Sequence, residues 1–336
     1  MSRNGKSRQV VVVTGASAGV GRATVRAFAR EGARLGLLAR SRHRLEQAKA
    51  EVEAEGGEAL VLPLDVADAD AVEHAAEQVE RHLGPIDVWV NNAMVTVFSP
   101  VKEMTAADYK RVTEVTYLGY VYGTLAALRR MLPRDRGVIV QVGSALAYRA
   151  IPLQSAYCAA KHAIQGFTEA LRSELYHDKS RVRVHMVQMP ALNTPQFRWS
   201  KSRMPRKAQP VPPIFQPEVA AEAIRWSAHH GRNELYVGWP TVKAIVGDRA
   251  IPRLLDHYLA RFGYTSQMTA EPEDPDRPNN LYETVEGDQA AHGVFDLRAK
   301  DASAQLWASE RKGRLAVAGL ALAGVALGAA LWGGGD

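Results

Sequence analysis

Residues 9–21, QVVVVTGASAGVG, restrict the fold more than any other part of this chain. The β-branched run at 9–13 is the mark of a parallel strand buried on both faces. Thr14 and the glycines at 15, 19 and 21 come next, and then a helical pattern, RATVRAFAREG, ends at Gly32. Strand, glycine turn and helix in that order make a phosphate cradle. Glycine lets the backbone approach a pyrophosphate closely, and the helix N-terminus offers N–H groups and a positive dipole end. Gly15, Ser17, Gly19, Val20 and Gly21 are therefore candidate cofactor contacts. A glycine-rich turn that binds nothing shows the same local pattern, so the rest of the chain must decide.

The same alternation of strand and helix repeats toward the C-terminus. Strand ARLGLLAR (33–40) ends in Arg40, with Arg42 and Arg44 close behind. In a dinucleotide fold this strand end meets the adenosine ribose, where an acidic residue favours a bare 2′-hydroxyl and an arginine a 2′-phosphate. No acidic residue stands there, so NADP(H) is preferred and NAD(H) is the alternative. The competing reading of Arg40 is the start of a solvated basic helix. Strand EALVLPLDV (58–66) closes on Asp65 and Val66, and the Asp65 carboxylate is placed to accept from an adenine amino group. Strand PIDVWVNNA delivers Asn92 and Ala93, a helix covers about 105–132, and strand GVIVQVGS delivers Ser144. A further strand, expected within 180–195, passes Pro190 and Thr194. Motifs that always come after strands predict an α/β fold, a Rossmann-like doubly wound parallel sheet with ligands along one edge.

Ser144, Tyr157 and Lys161 carry the chemistry. Tyr157 and Lys161 are four residues apart, so on a helix they share one face. A free phenol, with a pKa of about 10, is too weakly acidic to serve near neutral pH; a neighbouring ammonium is expected to lower it and so make Tyr157 a proton donor and acceptor. Ser144 adds a neutral donor for a substrate oxygen. The three can manage the proton when an alcohol and a carbonyl interconvert, but not the hydride, which requires a cofactor. Taken alone, Tyr-x-x-x-Lys also describes a solvated lysine beside a half-buried tyrosine.

With TGASAGVG at 14–21, LDV around Asp65, NNA at 91–93, Ser144, YCAAK at 157–161 and PALNTP at 190–195, the chain resembles the short-chain dehydrogenases/reductases from about residue 9 to 240. The resemblance implies a seven-stranded Rossmann fold and hydride transfer to or from NADP(H). It makes Tyr157 the acid/base, Lys161 a holder of the nicotinamide ribose that lowers the Tyr157 pKa, Ser144 the group that orients the substrate oxygen, and Thr194 a contact of the carboxamide. No metal is expected. Two positions depart from the pattern. Thr116 stands where the family usually has an Asn that kinks its helix and holds a relay water; a hydroxyl can hold a water but offers one group where an amide offers two. The motif usually written NNAG reads NNAM, and Met94 either narrows the substrate cleft or packs in the core.

Beyond the shared core, residues 195–217 are basic, Pro-rich and aromatic; the resemblance makes this stretch the substrate lid, generally mobile, and Phe197, Trp199 and Phe215 suggest a substrate with an apolar body. Residues 241–263 read as helix broken at Pro252, covering the cleft or forming the face of a homo-oligomer. The chain divides into a catalytic domain at 1–263, an acidic, Pro-rich linker with a basic flank at 264–314, and a candidate transmembrane helix at 315–332. That last stretch has no charge in 18 positions and as a helix spans about 27 Å, just short of a hydrocarbon core of about 30 Å. Gly324 and Gly328 form a G-x-x-x-G pair suited to close helix packing; an apolar tail packed on protein is the alternative. The basic 311–314 flank predicts a cytoplasmic catalytic domain attached to a membrane.

A single cysteine, Cys158, excludes an internal disulfide framework and reads as packing rather than a nucleophile. A net charge of +6 suits phosphates or an anionic membrane face, but no aromatic-basic stripe points to nucleic acid. The function expected is an NADP(H)-dependent oxidoreductase of a small-molecule alcohol/carbonyl pair, lipophilic in character. The alternative is a non-catalytic NADP(H) sensor or membrane scaffold.

Overall fold

A computed structural model describes residues 8–287 and 290–312. The chain opens with β1 (Val10–Thr14), α1 (Gly19–Ala29), β2 (Arg34–Ala39), α2 (Arg42–Ala54), β3 (Glu58–Pro63), α3 (Ala69–Leu83) and β4 (Val88–Asn91). A short strand β5 (Val97–Phe98) precedes α4 (Ala106–Thr113) and α5 (Gly119–Met131). Strand β6 (Val138–Val142), the long helix α6 (Ser155–His177) and β7 (Arg183–Gln188) come after these. The next stretch holds α7 (Gln196–Trp199), β8 (Lys201–Ser202), β9 (Arg206–Ala208) and β10 (Ile214–Phe215). After α8 (Pro217–His229) and β11 (Glu234–Tyr236) come α9 (Gly238–Ala250), α10 (Pro252–Phe262), β12 (Met268–Pro272), β13 (Ala299–Lys300) and α11 (Ala304–Glu310).

Seven strands form the central sheet in the order β11-β7-β6-β4-β1-β2-β3, all parallel. This is the doubly wound sheet expected from the alternation. Strand order reverses between β1 and β4, and the crevice beyond their carboxyl ends is where such sheets bind ligands. The β-branched runs are explained by burial on both faces. Val11 and Val13 pack with Leu35, Leu37, Val88 and Val90 on one side. Val10 and Val12 pack with Trp89, Ile139 and Val184 on the other.

Two elements are shorter than the sequence pattern suggests. The strand expected within 180–195 ends at Gln188, just ahead of Pro190, whose ring nitrogen has no hydrogen to donate to a ladder. The helix expected over about 105–132 is interrupted by a π turn at Glu114–Leu118, a distortion that recurs at functional sites.

The stretch from 264 to 312, read from composition as a linker, lies packed against the domain. Strand β12 pairs antiparallel with β9, and β13 pairs with β10. Leu281 and Ala291 are fully buried, and Phe295 and Leu306 nearly so. Burying one such leucine or phenylalanine contributes about 1.5–3 kcal/mol, enough to hold an otherwise polar segment down. Helices α9 and α10 fall where expected, separated at Pro252. Their exposed faces carry Trp239, Leu254 and Tyr258. Among the described residues no helix is long and apolar enough to cross a membrane; the candidate span at 315–332 lies outside them.

Candidate active site

The glycine turn closes on the end of β4. Gly15 has φ +68°, and a Cβ there would meet the Ala93 backbone at 2.9 Å. Asn92 reaches across the sheet's reversal point: its Nδ2 donates to the Thr14 carbonyl at 2.9 Å and its backbone N–H to Thr14 Oγ1, also at 2.9 Å. The Ala93 N–H donates to the same hydroxyl at 3.1 Å. The first turn of α1 has no side-chain cap and no acidic residue, so its N-terminal dipole end borders an open cleft.

That cleft is lined by Gly15, Ser17, Gly19, Val20, Arg40, Asp65, Val66, Asn92, Ala93 and Thr194. Ten of the cofactor residues expected from sequence are thereby brought together, while Tyr157, Lys161 and Pro190 line the adjoining cleft. Gly21 lines neither. A Cβ at this position would meet the Gly15 carbonyl oxygen at 2.0 Å, so its place is the close packing of helix on turn. Arg40 donates to two backbone carbonyls, Asn280 at 2.7 Å and Tyr282 at 2.8 Å. Asp65 accepts from the Ala67 N–H at 3.0 Å and pairs with Arg111, a partner the sequence reading missed.

A second cleft continues from the first and shares Val20, Asn92, Met94 and Thr194 with it. Ser144, Tyr157, Lys161 and Pro190 line this one. Ser144 comes just after β6, its N–H held at 2.7 Å by Gln188 Oε1, while α6 presents Tyr157 and Lys161 on one face. The Ser144 hydroxyl hydrogen-bonds the Tyr157 phenol and favours its ionised form. Burial is the larger effect, and it drives the phenol upward, with a smaller push from Cys158. Cys158 itself is buried, and its thiol is pushed up to about 11 by desolvation, which leaves it a packing group.

The lowering of Tyr157 by Lys161 expected from sequence does not emerge, for two physical reasons. Lys161 Nζ lies 5.5 Å from the centre of the Tyr157 ring and is directed elsewhere, donating to the Val142 carbonyl at 2.7 Å and to Tyr120 Oη at 3.0 Å. Lys161 is also buried, and desolvation pulls its ammonium down to about 7, which weakens the charge it can offer the phenol.

The described residues fit a dinucleotide cofactor: a helix N-terminus without a side-chain cap on a glycine turn, a basic residue at the end of β2, and a tyrosine–lysine pair at the far end. Comparison with known proteins agrees. Residues 9–204 match the short chain dehydrogenase family. The chain belongs to the short-chain dehydrogenase/reductase family. An uncharacterised oxidoreductase of Bacillus subtilis, YxnA, is 33% identical over 82% of this chain and 78% of its own length. A fatty acyl-CoA reductase of Acinetobacter baylyi is 30% identical over 64% of this chain and 71% of its own. An alcohol dehydrogenase of Thermococcus sibiricus, solved in complex with 5-hydroxy-NADP, is 30% identical and superimposes with a TM-score of 0.60 over 68% of this chain and 95% of its own. This short-chain dehydrogenase/reductase is accordingly an oxidoreductase of CH–OH/C=O groups that uses a nicotinamide cofactor.

Where the chain departs from the family pattern, the geometry is specific. The Thr116 hydroxyl donates to the Val95 carbonyl at 2.8 Å and accepts from the Val95 N–H at 3.1 Å. It therefore ties the π turn to the loop after β4 instead of facing Lys161. One helical turn on, Tyr120 takes that place: its phenol donates to the Val142 carbonyl at 3.0 Å and receives Lys161. Burial drives the Tyr120 phenol well above its ordinary range, so it stays protonated. Met94 lines both clefts and is half-buried, which favours a cleft wall over a core position.

The buried lysine makes stability depend on pH. Its folded pKa of about 7 lies below the ordinary 10.5, so between those values the unfolded chain binds the extra proton and folding gains as pH rises. Without added cofactor, Lys161 should contribute about 2 kcal/mol more stability at pH 9 than at pH 7, at 1.36 kcal/mol per pKa unit. Urea midpoints of wild type and Lys161→Met at both pH values check this: the variant should gain less, and equal gains would mean that Lys161 is solvated.

Proposed function

We propose that this protein is an NADP(H)-dependent oxidoreductase that interconverts an apolar alcohol and its carbonyl through Ser144, Tyr157 and Lys161. The observation that carries the reading is the continuity of the two clefts. The glycine turn borders one, the three polar side chains border the other, and Val20, Asn92 and Thr194 lie in both. NADP(H) would be held by Gly15, Ser17, Gly19, Val20, Asp65, Val66, Asn92, Ala93 and Pro190, with Arg40 on the 2′-phosphate and Thr194 toward the carboxamide; bound there, it supplies or accepts the hydride. Tyr157 moves the proton. In reduction its phenol donates to the carbonyl oxygen as the carbon receives the hydride; in oxidation the phenolate takes the alcohol proton as the hydride leaves. Ser144 donates to the substrate oxygen, and Lys161 supports the cofactor ribose.

The apolar character rests on Met94, Leu146, Ile151, Leu192, Phe197 and Val211, which line the larger cleft. The likeness to a fatty acyl-CoA reductase supports the same class. Membrane attachment through 315–332 is part of the proposal on the strength of its sequence, 18 residues without charge.

Tyr157→Phe removes only the transferable proton. NADPH affinity should stay within a few-fold while turnover of a carbonyl panel falls about 10²–10⁴-fold. Wild-type turnover in that variant would remove Tyr157 from the mechanism.

Arg40→Asp should shift the ratio of kcat/KM for NADPH over NADH toward NADH, through lost pairing and new repulsion with the 2′-phosphate. The ratio is the useful readout, because any loosening of the segment that Arg40 also holds acts on both cofactors. An unchanged ratio would assign the phosphate to another group.

If 315–332 enters a bilayer, full-length protein should sediment with membranes and resist extraction by high salt. Attachment through the basic flank alone would be released, because exposed charges are screened within about 10 Å at 0.1 M. Release into the supernatant by salt, or detergent-free monodispersity, is the outcome that defeats insertion.

A further inference from the structure

The dinucleotide cleft has a wall that the family motifs do not provide. Asn280, Thr284 and Val285 line it together with the glycine turn. Their segment is fastened at several points, each a backbone group on a residue of the nucleotide fold. Arg40 takes the carbonyls of Asn280 and Tyr282. Arg111 Nε donates to the Leu281 carbonyl at 2.9 Å, and Arg44 Nε to the Gly287 carbonyl at 3.1 Å. Farther along, the Gly19 N–H at the start of α1 donates to the Ala290 carbonyl at 3.1 Å.

We propose that the segment at 280–287 is the outer wall of the cofactor site, so that the dinucleotide binds beneath it and leaves only when it lifts. The proposal rests on the NADP(H) reading above. Within the segment Leu281 alone is fully buried, so it anchors the wall, whereas raising 282–287 exposes no fully buried side chain. Residues 282–287 are exposed or half-exposed, and what holds them is a set of hydrogen bonds that water can replace and the contact of Arg111 with the Tyr282 ring. Gly287, at φ +95°, supplies a residue that tolerates a backbone change.

Charge is compatible with a phosphate under this wall. Around Arg40 stand Arg44 and Arg111 against Asp65 and Glu283, three guanidiniums facing two carboxylates. A guanidinium has five N–H donors, so the two carbonyls do not exhaust Arg40, and wall and 2′-phosphate can share it. The wall thus joins cofactor retention to the residue proposed to select the cofactor.

Hydrogen–deuterium exchange of the full chain with NADPH as the probe tests this. Peptides covering 280–287 should exchange several-fold more slowly with NADPH, together with those covering the glycine turn at 14–21. Protection of 14–21 with exchange at 280–287 unchanged or faster overturns the proposal, since the segment would then lie outside the site or be displaced from it. Protection at neither place refutes the dinucleotide reading itself and the proposal with it. A second measurement concerns Tyr282, whose ring lies 5.5 Å from the Arg111 guanidinium and whose phenol donates to the Ala107 carbonyl at 3.3 Å. Tyr282→Ala removes both contacts and should speed NADPH release, monitored by rapid mixing with excess NADP+, by about tenfold. A folded variant that releases NADPH at the wild-type rate counts against the wall.

Discussion

The arrangement depends first on how the carboxyl ends of β1 and β4 are held together. These strands are neighbours at the point where strand order reverses, and the loops that leave them diverge, so the crevice would widen without a tie. Thr14 supplies it. Its hydroxyl donates to the Val90 carbonyl at 3.3 Å and accepts from the N–H groups of Asn92 and Ala93. Behind it, buried Asn91 receives Trp89 Nε1 and donates to the Tyr120 carbonyl, Thr124 Oγ1 and Gln141 Oε1. This network joins β4, α5 and β6 in a region where an unmade hydrogen bond costs about 1–3 kcal/mol. It therefore fixes the strand that delivers the cofactor residues relative to the one that delivers Ser144.

The same network positions Tyr120, and through it Lys161. An ammonium in so dry a place requires acceptors in fixed positions, and the Val142 carbonyl and Tyr120 phenol provide two. Because both belong to elements locked by Asn91, the lysine cannot drift toward Tyr157 merely to gain a closer contact. This explains why a pairing that looks direct on a helical wheel is indirect in space: the residues share a face of α6, yet the strongest partners of Lys161 come from β6 and α5.

What could be read from the sequence were features with a period or a fixed local order. Five consecutive residues from Gln9 to Val13, glycines at 15, 19 and 21, and the four-residue step from Tyr157 to Lys161 each have one economical structural meaning, and the sheet and clefts conform to it. Tyr120 was not legible as a partner of Lys161, because a tyrosine in a helix among other aromatic and small residues carries no spacing signal toward a lysine 41 positions away. Gly21 was legible as part of a motif but not in its role, since a lining glycine and a packing glycine look alike without the neighbouring carbonyl. The stretch at 271–289 misled through composition. Acidic residues and prolines usually accompany solvated chain, but here backbone carbonyls of that stretch serve arginines, and a backbone group leaves no mark on composition.

The C-terminal stretch also changes how the two clefts relate. In pairing with β9 and β10, strands β12 and β13 brace the region expected to be the substrate lid, while the part between them fronts the nucleotide cleft. Lys201 and Arg203 add a second brace by converging on buried Asp108 at the start of α4. The lid is thus stapled on one side to the helix ahead of the π turn and on the other to the stretch facing Arg40. A displacement on the nucleotide side would pull on β12 and β13, and so on β9 and β10 of the lid, through backbone hydrogen bonds instead of flexible side chains. Substrate and cofactor clefts in this chain consequently share a mechanical element beyond the sheet itself, one that sequence motifs confined to residues before 196 could not reveal.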